Sequence, residues 1–396
     1  MSNLAPLSAV IEKVVLHPIA MQLVEALQTS GWNDSFRPAV LVELHAGGQI
    51  GWGECVAGWT PGYCYETVGT ALHVLGDFIV PTLPGTRVEA WQQKAVAAQF
   101  RGHPLAKAAV DMALCDLSAR LNGQSLGGWL AARAAPETPY TARERVTVGV
   151  SIGIQPTIDE TIAIIDKRIT EGYGRIKLKI KPGWDIELLR EVRRQFPDAV
   201  LMADANSAYT LAPEHVATLR QMDALNLLMI EQPLGHDDIY QHSLLQKQLG
   251  TPICLDESIH SVDDARLALT LGACRIINLK VSRVGGIRPA IALYNFCQAE
   301  GVPLWIGGML ETGIGRAANL IVAALPGVTL PSDISATNRY YDPDLTDELF
   351  TLNHADSTIT TPTGAGLGVT INRERLASAE NAFARFPKTQ FMAPSH

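Results

Sequence analysis

The chain has 396 residues, of which 47% are hydrophobic and 18% charged, as in globular proteins and unlike disordered, coiled-coil or collagen-like chains. This length accommodates two or three domains, or one barrel with an appendage. The net charge of −8 argues against a broad basic surface, so we expect no nucleic acid partner. Because no apolar run reaches the roughly 18–20 residues of a membrane helix and the N-terminus lacks a basic signal-peptide region, we expect a cytoplasmic protein without a membrane partner.

The first part of the chain predicts an α+β domain over residues 1–145. Two apolar runs, Pro38–Leu44 and Gln49–Cys55, are joined by Ala46-Gly47-Gly48, which is typical of a hairpin. Helical patterns follow at 66–78 and 105–121, and 135–145 is interpreted as the linker to the next domain. The segment from about 345 to 396 contains a glycine-rich loop and a helical pattern at 373–385, and we expect it to return to the first domain.

Residues 146–344 repeat one format, in which short apolar runs alternate with amphipathic stretches. Eight such strand–helix units favour a β/α barrel of parallel strands, although periodicity alone leaves an open doubly wound sheet as an alternative. The predicted helices include 158–170, 185–195, 262–271 and 287–300. The predicted strands are Val146–Ile152, Arg175–Ile180, Ala199–Ala205, Leu225–Glu231, Pro252–Asp256, Arg275–Val281, Val302–Ile306 and Val328–Ile334.

Ionisable residues stand at the carboxyl ends of consecutive predicted strands, which is the edge where barrel enzymes carry their active sites. From Lys179 onward they are separated by 25, 27, 25 and 24 residues, about one strand–helix unit each. They therefore occupy equivalent positions on neighbouring strands. These residues are Lys177, Lys179, Asp204, Glu231, Asp256 and Lys280.

The three carboxylates of this set predict a bound cation, since like charges that converge on one small volume repel each other. Oxygen ligands without Cys or His in the same register favour Mg²⁺ over zinc. The six cysteines are scattered without a C-x-x-C pair, and we interpret them as reduced core thiols. For any one residue the alternatives are a helix N-cap for the aspartates and a solvated rim charge for the lysines. The common register of the set favours a functional site.

The motif order K-x-K, D-x-N, E-Q-P, D-E-S and N-x-K resembles the enolase superfamily, in its muconate lactonizing enzyme subgroup. The sequence is most similar to the group of o-succinylbenzoate synthases and N-acylamino acid racemases. The resemblance implies an α/β fold, a modified (βα)7β TIM-type barrel under an α+β capping domain. The segments that carry it are 51–54, 176–180, 182–185, 204–209, 307–316, 331–335 and 362–369.

The resemblance also implies a role for each matching residue. Asp204, Glu231 and Asp256 would bind Mg²⁺, with Mn²⁺ as a substitute. Lys179 and Lys280 would be the acid/base groups on opposite faces of the substrate, with Lys177 at its carboxylate. Loops 23–32 and 59–63 would form lids, and Glu257 and Arg283 would support the site. Further substrate contacts would come from Asn206, Gly308, Met309, Leu310, Trp32 and Trp59.

The chemistry implied is abstraction of a proton α to a carboxylate of a small molecule, which gives an enediolate. The base must be uncharged, so we expect Mg²⁺ and the neighbouring lysine to lower the pKa of Lys179. Expulsion of a β-hydroxyl yields o-succinylbenzoate for menaquinone synthesis, whereas return of a proton to the opposite face racemises an N-acylamino acid. The same residues serve both reactions, so the sequence leaves the main activity and the physiological substrate open.

Neighbouring classes are separated by single features. Arg283 lies three residues after Lys280, as in members able to racemise, although it could equally bind backbone carbonyls of a loop. A muconate cycloisomerase would share the metal site and remains an alternative. A dipeptide epimerase would carry D-x-D near the last strand, where this chain has Ser332-Asp333-Ile334-Ser335. A Schiff-base aldolase would not need three aligned carboxylates. The group commonly assembles from several subunits, so we expect a homo-oligomer.

Overall fold

A computed structural model describes residues 9–28, 33–89, 100–134 and 141–385. The predicted lid residue Trp32 and residues 135–140 of the predicted linker lie outside these ranges. Within them, no helix combines the length and the apolar character that crossing a bilayer requires. All six cysteines carry free thiols, and only Cys64 is not fully buried, which agrees with the predicted core thiols.

The N-terminal part forms a three-stranded antiparallel sheet in the order β1-β2-β3, with β1 at Ile11–Gln28, β2 at Asn33–Ala46 and β3 at Gln49–Cys55. The predicted hairpin is confirmed as β2 and β3, whose turn is made by Gly47 and Gly48 at φ of 56° and 72°. The sequence analysis did not predict strand β1. It carries Pro18, which an edge strand tolerates because it lacks a neighbour on one side.

In the described part of the first 134 residues, the sheet is followed by helices α1 (Val68–Val74), α2 (Pro104–Leu121) and α3 (Leu126–Ala134). Helix α2 packs so closely on β3 that a Cβ at Gly53 would lie 1.8 Å from the carbonyl oxygen of Ala109. The predicted helix 66–78 begins two residues late, because the side chain of Thr67 caps it. After Val74 it continues as a wider π-helical turn over Leu75–Ile79.

The middle of the chain is a parallel barrel sheet, as the alternating pattern predicts, in which each strand lies beside the strands that precede and follow it in the chain. Each strand is followed by a helix on the outside of the sheet. The strands are β5 (Val150–Ile152), β6 (Arg175–Lys179), β7 (Val200–Asp204), β8 (Ile230–Glu231), β9 (Ile253–Leu255), β10 (Ile276–Leu279) and β11 (Leu304–Ile306). The helices are α4 (Ile158–Thr170), α5 (Ile186–Gln195), α6 (Pro213–Met222), α7 (Ile239–Gln246), α8 (Val262–Leu271), α9 (Ile287–Ala299) and α10 (Gly313–Ala323).

The eighth predicted strand, Val328–Ile334, is wrong as a regular strand. Only isolated bridges form there, from Val328 to Leu304 and from Ser332 to Val148. The Ser332 hydroxyl accepts the hydrogen bond of the Ile306 amide at 3.2 Å, so side-chain chemistry replaces part of the ladder. The segment 328–333 still lies between β11 and β5 and closes the barrel.

The other predicted strands are longer than the strands in the structure, and two of them depart furthest from the prediction. The run 146–152 divides into β4 (Arg145–Thr147), which joins a separate antiparallel sheet, and β5. The run 225–231 begins within a 3-10 turn at Asp223–Leu225, and its regular strand is limited to Ile230–Glu231, although the Leu228 amide already donates to the carbonyl of Leu201 at 2.8 Å.

The C-terminal segment contacts both parts of the molecule. Strands β12 (Leu352–Asn353) and β13 (Thr358–Thr360) extend the sheet of β4. Helix α11 (Arg373–Arg385) lies on the first sheet, where Arg373 binds both carboxylate oxygens of Glu43 at 2.9 Å. These contacts support the predicted return of the tail. The domain boundary at residue 145 stays a prediction.

Candidate active site

The strand ends aim the predicted ligands into the barrel. Residues two apart on a strand face the same side, and two positions before Asp204, Glu231 and Asp256 lie buried apolar side chains. These are Met202, Met229 and Cys254, which pack with Ile276 and Trp305 into one cluster inside the barrel. The carboxylates therefore lie directly above this apolar cluster, at the carboxyl ends of the barrel strands. Each of them is almost completely buried.

Above the strand ends lies a pocket that is lined by residues from both parts of the chain. The barrel supplies its floor and the 58–66 segment of the first domain supplies its roof. Predicted residues that line it are Trp59, Tyr63, Lys177, Lys179, Asn206, Lys280, Gly308, Met309 and Leu310. Lining residues that the sequence analysis did not assign to the site include Arg37, Ser151, Asp333 and Tyr340.

Lys177 and Lys179 share one carboxylate on one side of the site. Their Nζ atoms lie 3.2 Å and 2.6 Å from the same oxygen, Oδ2 of Asp204. Lys177 also lies 3.2 Å from Glu231 Oε2, and Lys179 donates to Oδ1 of Asn206 at 2.7 Å. The side-chain nitrogen Nδ2 of Asn206 in turn donates to Glu257 Oε1 at 2.9 Å. Lys179 is thus oriented by Asp204 and by a chain through Asn206 to Glu257.

On the other side of the site, Lys280 and Arg283 share Asp256. The Nζ of Lys280 lies 2.9 Å from Asp256 Oδ2, and Arg283 pairs with the other oxygen. Arg283 also donates to the backbone carbonyls of Asn278 and Ile259. Both readings of Arg283, as a charge beside Lys280 and as a binder of loop carbonyls, therefore describe real contacts. The Tyr63 hydroxyl donates to Asp256 Oδ1 at 3.0 Å, which links the roof to this group.

The turns after the strands hold unusual backbone conformations. Asn206, Gln232 and Leu310 all adopt positive φ, between 39° and 61°, which costs energy for residues with a Cβ. The side chain of Gln232 accepts from the Asp256 amide at 3.0 Å and so ties the turn after β8 to the turn after β9. Gly308 is required because a Cβ there would lie 2.5 Å from the carbonyl oxygen of Asp333.

The carboxylates of the site have pKa values that differ widely. Burial raises the pKa of Glu231 to about 8, with a contribution from the nearby Asp204 charge. Burial acts on Asp204 in the same direction, but Lys179 and Lys177 outweigh it and lower the pKa of Asp204 to about 2. Burial followed by the Asp256 charge raises the pKa of Glu257 to about 7. Burial and neighbouring negative charge therefore favour the protonated forms of Glu231 and Glu257, whereas the two lysines keep Asp204 charged.

Two lysines of the site, Lys280 and Lys177, have raised pKa values. Burial lowers the pKa of Lys280, but Asp256 and Tyr63 outweigh burial and raise it above its ordinary value. The pKa of Lys177 is also raised, because Asp333 and Glu231 outweigh the effect of burial. Carboxylates are the nearest charged neighbours of both lysines, whereas the expected effect of a bound Mg²⁺ concerned Lys179 and stays a prediction.

The site offers oxygen donors of the kind that a divalent cation takes. Within the described ranges, no three Asp, Glu, His or Cys side chains form a ready-made metal cluster, and the three carboxylates are in contact with lysines and Arg283. The donors themselves fit, because three buried carboxylates end neighbouring strands. Moreover, Oε2 of Glu257 and Oδ1 of Asn278 are buried without a hydrogen bond from the described residues. Buried acceptors of this kind are what a hydrated cation would satisfy.

The predicted lid residues Trp59 and Leu23 differ in whether they line the pocket. Trp59 lines the pocket, stacks on Phe383 at 5.4 Å and donates to the carbonyl of Phe36. Leu23 does not line the pocket; it packs against Leu310, Tyr340 and Tyr341, next to pocket-lining residues. A direct role for Leu23 in covering substrate is therefore unsupported.

Two pocket residues that sequence reasoning missed, Ser151 and Asp333, are brought together by barrel closure. The Ser151 hydroxyl donates to Asp333 Oδ2 at 2.7 Å, and Lys177 Nζ lies 2.9 Å from the same oxygen. They are 182 residues apart in the chain. The sequence signal for Asp333 is the P-S-D-I-S motif at 331–335. This motif indicates the family but does not predict the contacts of Asp333 with Ser151 and Lys177.

Comparison with known proteins agrees with this geometry. The chain matches the family model "Mandelate racemase / muconate lactonizing enzyme, N-terminal domain" over residues 10–130. It matches "Enolase C-terminal domain-like" over residues 160–375.

Individual relatives cover nearly the whole chain. An o-succinylbenzoate synthase of Geobacillus kaustophilus is 44% identical over 374 residues, 92% of this chain and 95% of the relative. An N-succinylamino acid racemase of Thermus thermophilus is 42% identical over 366 residues, 91% and 94% of the two chains. A solved enolase superfamily member from Listeria innocua is 36% identical with a TM-score of 0.85, covering 94% of this chain and 97% of the other. The chain therefore belongs to the mandelate racemase / muconate lactonizing enzyme family and is an enzyme of the enolase superfamily.

Proposed function

We propose that this enzyme removes a proton α to the carboxylate of a small molecule, and that its main reaction is the dehydration that forms o-succinylbenzoate. The observation that carries the proposal is the placement of Lys179 and Lys280 in one pocket. Lys179 ends β6 and Lys280 follows β10, so β7, β8 and β9 with their carboxylates lie between them. A substrate held over these carboxylates presents one face to each lysine.

Asp204, Glu231 and Asp256 would hold Mg²⁺ or Mn²⁺. When bound, the cation supplies positive charge that stabilises the second negative charge of the enediolate and draws carboxylate charge away from the lysines.

The chain's own residues carry the proton transfers. Lys177 donates to the substrate carboxylate, which fixes the α-carbon beside Lys179. Uncharged Lys179 takes the α-proton, and the electron pair of the C–H bond enters the carboxylate to give the enediolate. The enediolate then re-forms its carboxylate and expels the β-hydroxyl, which takes the proton from Lys179 and leaves as water. Trp59, Met309 and Leu310 exclude bulk solvent from the acyl portion.

Racemisation of an N-succinylamino acid is the second candidate activity. It requires a proton carrier on each face, and Lys280 stands on the side of the site opposite Lys179. Arg283 lies beside Asp256, the partner of Lys280, and so adds the positive charge expected of members able to racemise. The similarity to the Thermus thermophilus racemase supports the same activity. Since an N-succinylamino acid lacks a β-leaving group, its enediolate can only be reprotonated.

The test is a direct comparison of substrates with the purified enzyme and Mg²⁺. We expect formation of o-succinylbenzoate from its β-hydroxy acid precursor, with the larger kcat/KM, and racemisation of N-succinylamino acids, followed by polarimetry. Activity on muconate alone would instead support the cycloisomerase alternative. Absence of α-proton exchange with any of these carboxylates in D₂O would refute the proposal.

A further inference from the structure

Asp333 lies on the segment that closes the barrel and is held firmly there. Its amide donates to the carbonyl of Ile306 at 2.8 Å, and its carboxylate accepts from Ser151. The side chain is only 7% exposed, and Nη1 of Arg175 lies 3.6 Å from its Oδ1. A carboxylate buried to this degree is retained only with charged and hydrogen-bonding partners.

Lys177 is the closer of the two charged partners of Asp333. Its Nζ lies 2.9 Å from Asp333, compared with 3.2 Å from Asp204 and 3.2 Å from Glu231. An ammonium group has three donors, so three carboxylates saturate it. Two of the three are the ligands proposed for the divalent cation, whereas Asp333 is not.

The three carboxylates lie on two opposite sides of Lys177 along the strand ends of the barrel. Lys177 is on β6; Asp204 and Glu231 end β7 and β8 on one side, and Asp333 lies beyond β5 on the other. If Asp333 were neutral, the ammonium would be shared by the two metal ligands alone. It would then compete with a cation for their oxygens, because one carboxylate oxygen cannot serve both at full strength.

We propose that Asp333 is a positioning residue that holds Lys177 on the β5 side of the pocket and so keeps Asp204 and Glu231 available to a divalent cation. The inference rests on the proposed metal site. Ser151 assists by donating to the Asp333 oxygen that contacts Lys177, which fixes the carboxylate's orientation.

The experiment is a double-mutant cycle read by Mg²⁺ affinity, with calorimetry on the wild type, Asp333→Asn, Lys177→Met and the double variant. Asparagine keeps the shape of Asp333, and circular dichroism checks the fold. We expect Asp333→Asn to weaken Mg²⁺ binding by roughly 10-fold, the effect of losing one hydrogen bond between charged groups. In the Lys177→Met background the same change should alter affinity by less than about 3-fold, since no ammonium remains to be held.

Two outcomes would overturn the inference while leaving the metal site intact. One is an unchanged Mg²⁺ affinity in Asp333→Asn; the other is an equal loss in both backgrounds, which would show a general charge effect. Failure of the wild type to bind Mg²⁺ would instead refute the proposed metal site. Should Asp333→Asn fail to fold, Ser151→Ala substitutes for it: we expect a smaller loss of affinity that also disappears in Lys177→Met, and no loss would overturn the inference.

Discussion

Glu54 joins the first domain to the barrel, and its replacement by glutamine should change how stability depends on pH. The side chain is 1% exposed. It accepts from the Thr312 amide at 3.0 Å, from the Thr312 hydroxyl at 2.8 Å and from the Gly315 amide at 2.8 Å. These donors form the first turn of α10, directly after the pocket loop with Met309 and Leu310.

The magnitude follows from the pKa of this carboxyl. Burial raises the pKa of Glu54 from 4.5 to about 7, more than the Thr312 and Gly315 donors lower it, with a smaller contribution from the Glu311 charge. Between these values the folded state binds the proton and the unfolded state does not. The stabilisation is therefore complete below pH 4.5 and is lost as the pH rises through about 7, a loss of about 3 kcal/mol.

Urea unfolding followed by tryptophan fluorescence, from about pH 4.5 to about pH 8, measures this difference. The free energy of unfolding of the wild type should fall by about 3 kcal/mol more than that of Glu54→Gln, because all other titrating groups are shared. Glu54→Ala should lack the same slope while being less stable at every pH, since it leaves the α10 donors unpaired. Parallel pH dependences of wild type and Glu54→Gln would refute the reasoning.

The remaining predictions concern the site, the packing and the roof. Glu231→Gln and Asp256→Asn should each lower kcat by at least about 100-fold with little loss in urea midpoint, and chelation of the wild type should do the same; full activity after chelator treatment would rule out the metal. Gly53→Ala should destabilise by about 3 kcal/mol because its Cβ meets the backbone of α2 at 1.8 Å, whereas Gly69→Ala in α1, whose Cβ would lie at an ordinary contact distance of 3.6 Å from Thr67 Oγ1, should stabilise by about 0.5 kcal/mol in thermal unfolding. Trp59→Ala should change the ratio of kcat/KM between two N-acyl substrates by about 10-fold; an unchanged ratio would argue against its contact with substrate.

Much of the site could be predicted because barrel strands repeat at a nearly constant spacing. A residue at one strand end predicts the position of the next, so Lys179, Asp204, Glu231, Asp256 and Lys280 could be aligned without a structure. The structure bears out the strand-end positions on which this rests, since β6 pairs β7 in register at Lys179 and Asp204. Their roles in the reaction stay predictions.

Other features depend on contacts that no local pattern records. The closing segment 328–333 has the composition of a strand but pairs partly through the Ser332 side chain, so its apolar run misled the assignment. Asp333 and Ser151 meet only because the barrel closes. The raised pKa of Lys280 likewise depends on where Asp256 points, which spacing along the chain does not determine.

The central claim is that Lys179 and Lys280 carry protons on opposite faces of the substrate. It can be tested by α-proton exchange in D₂O with Lys280→Arg and each enantiomer of an N-succinylamino acid. Arginine keeps a positive charge near Asp256 but scarcely gives up a proton, so it removes the proton carrier from one face only. The wild type should exchange the α-proton of both enantiomers. The variant should exchange one enantiomer through Lys179, fail to exchange the other, and show no racemisation. Exchange of both enantiomers by Lys280→Arg at wild-type rates would contradict the account.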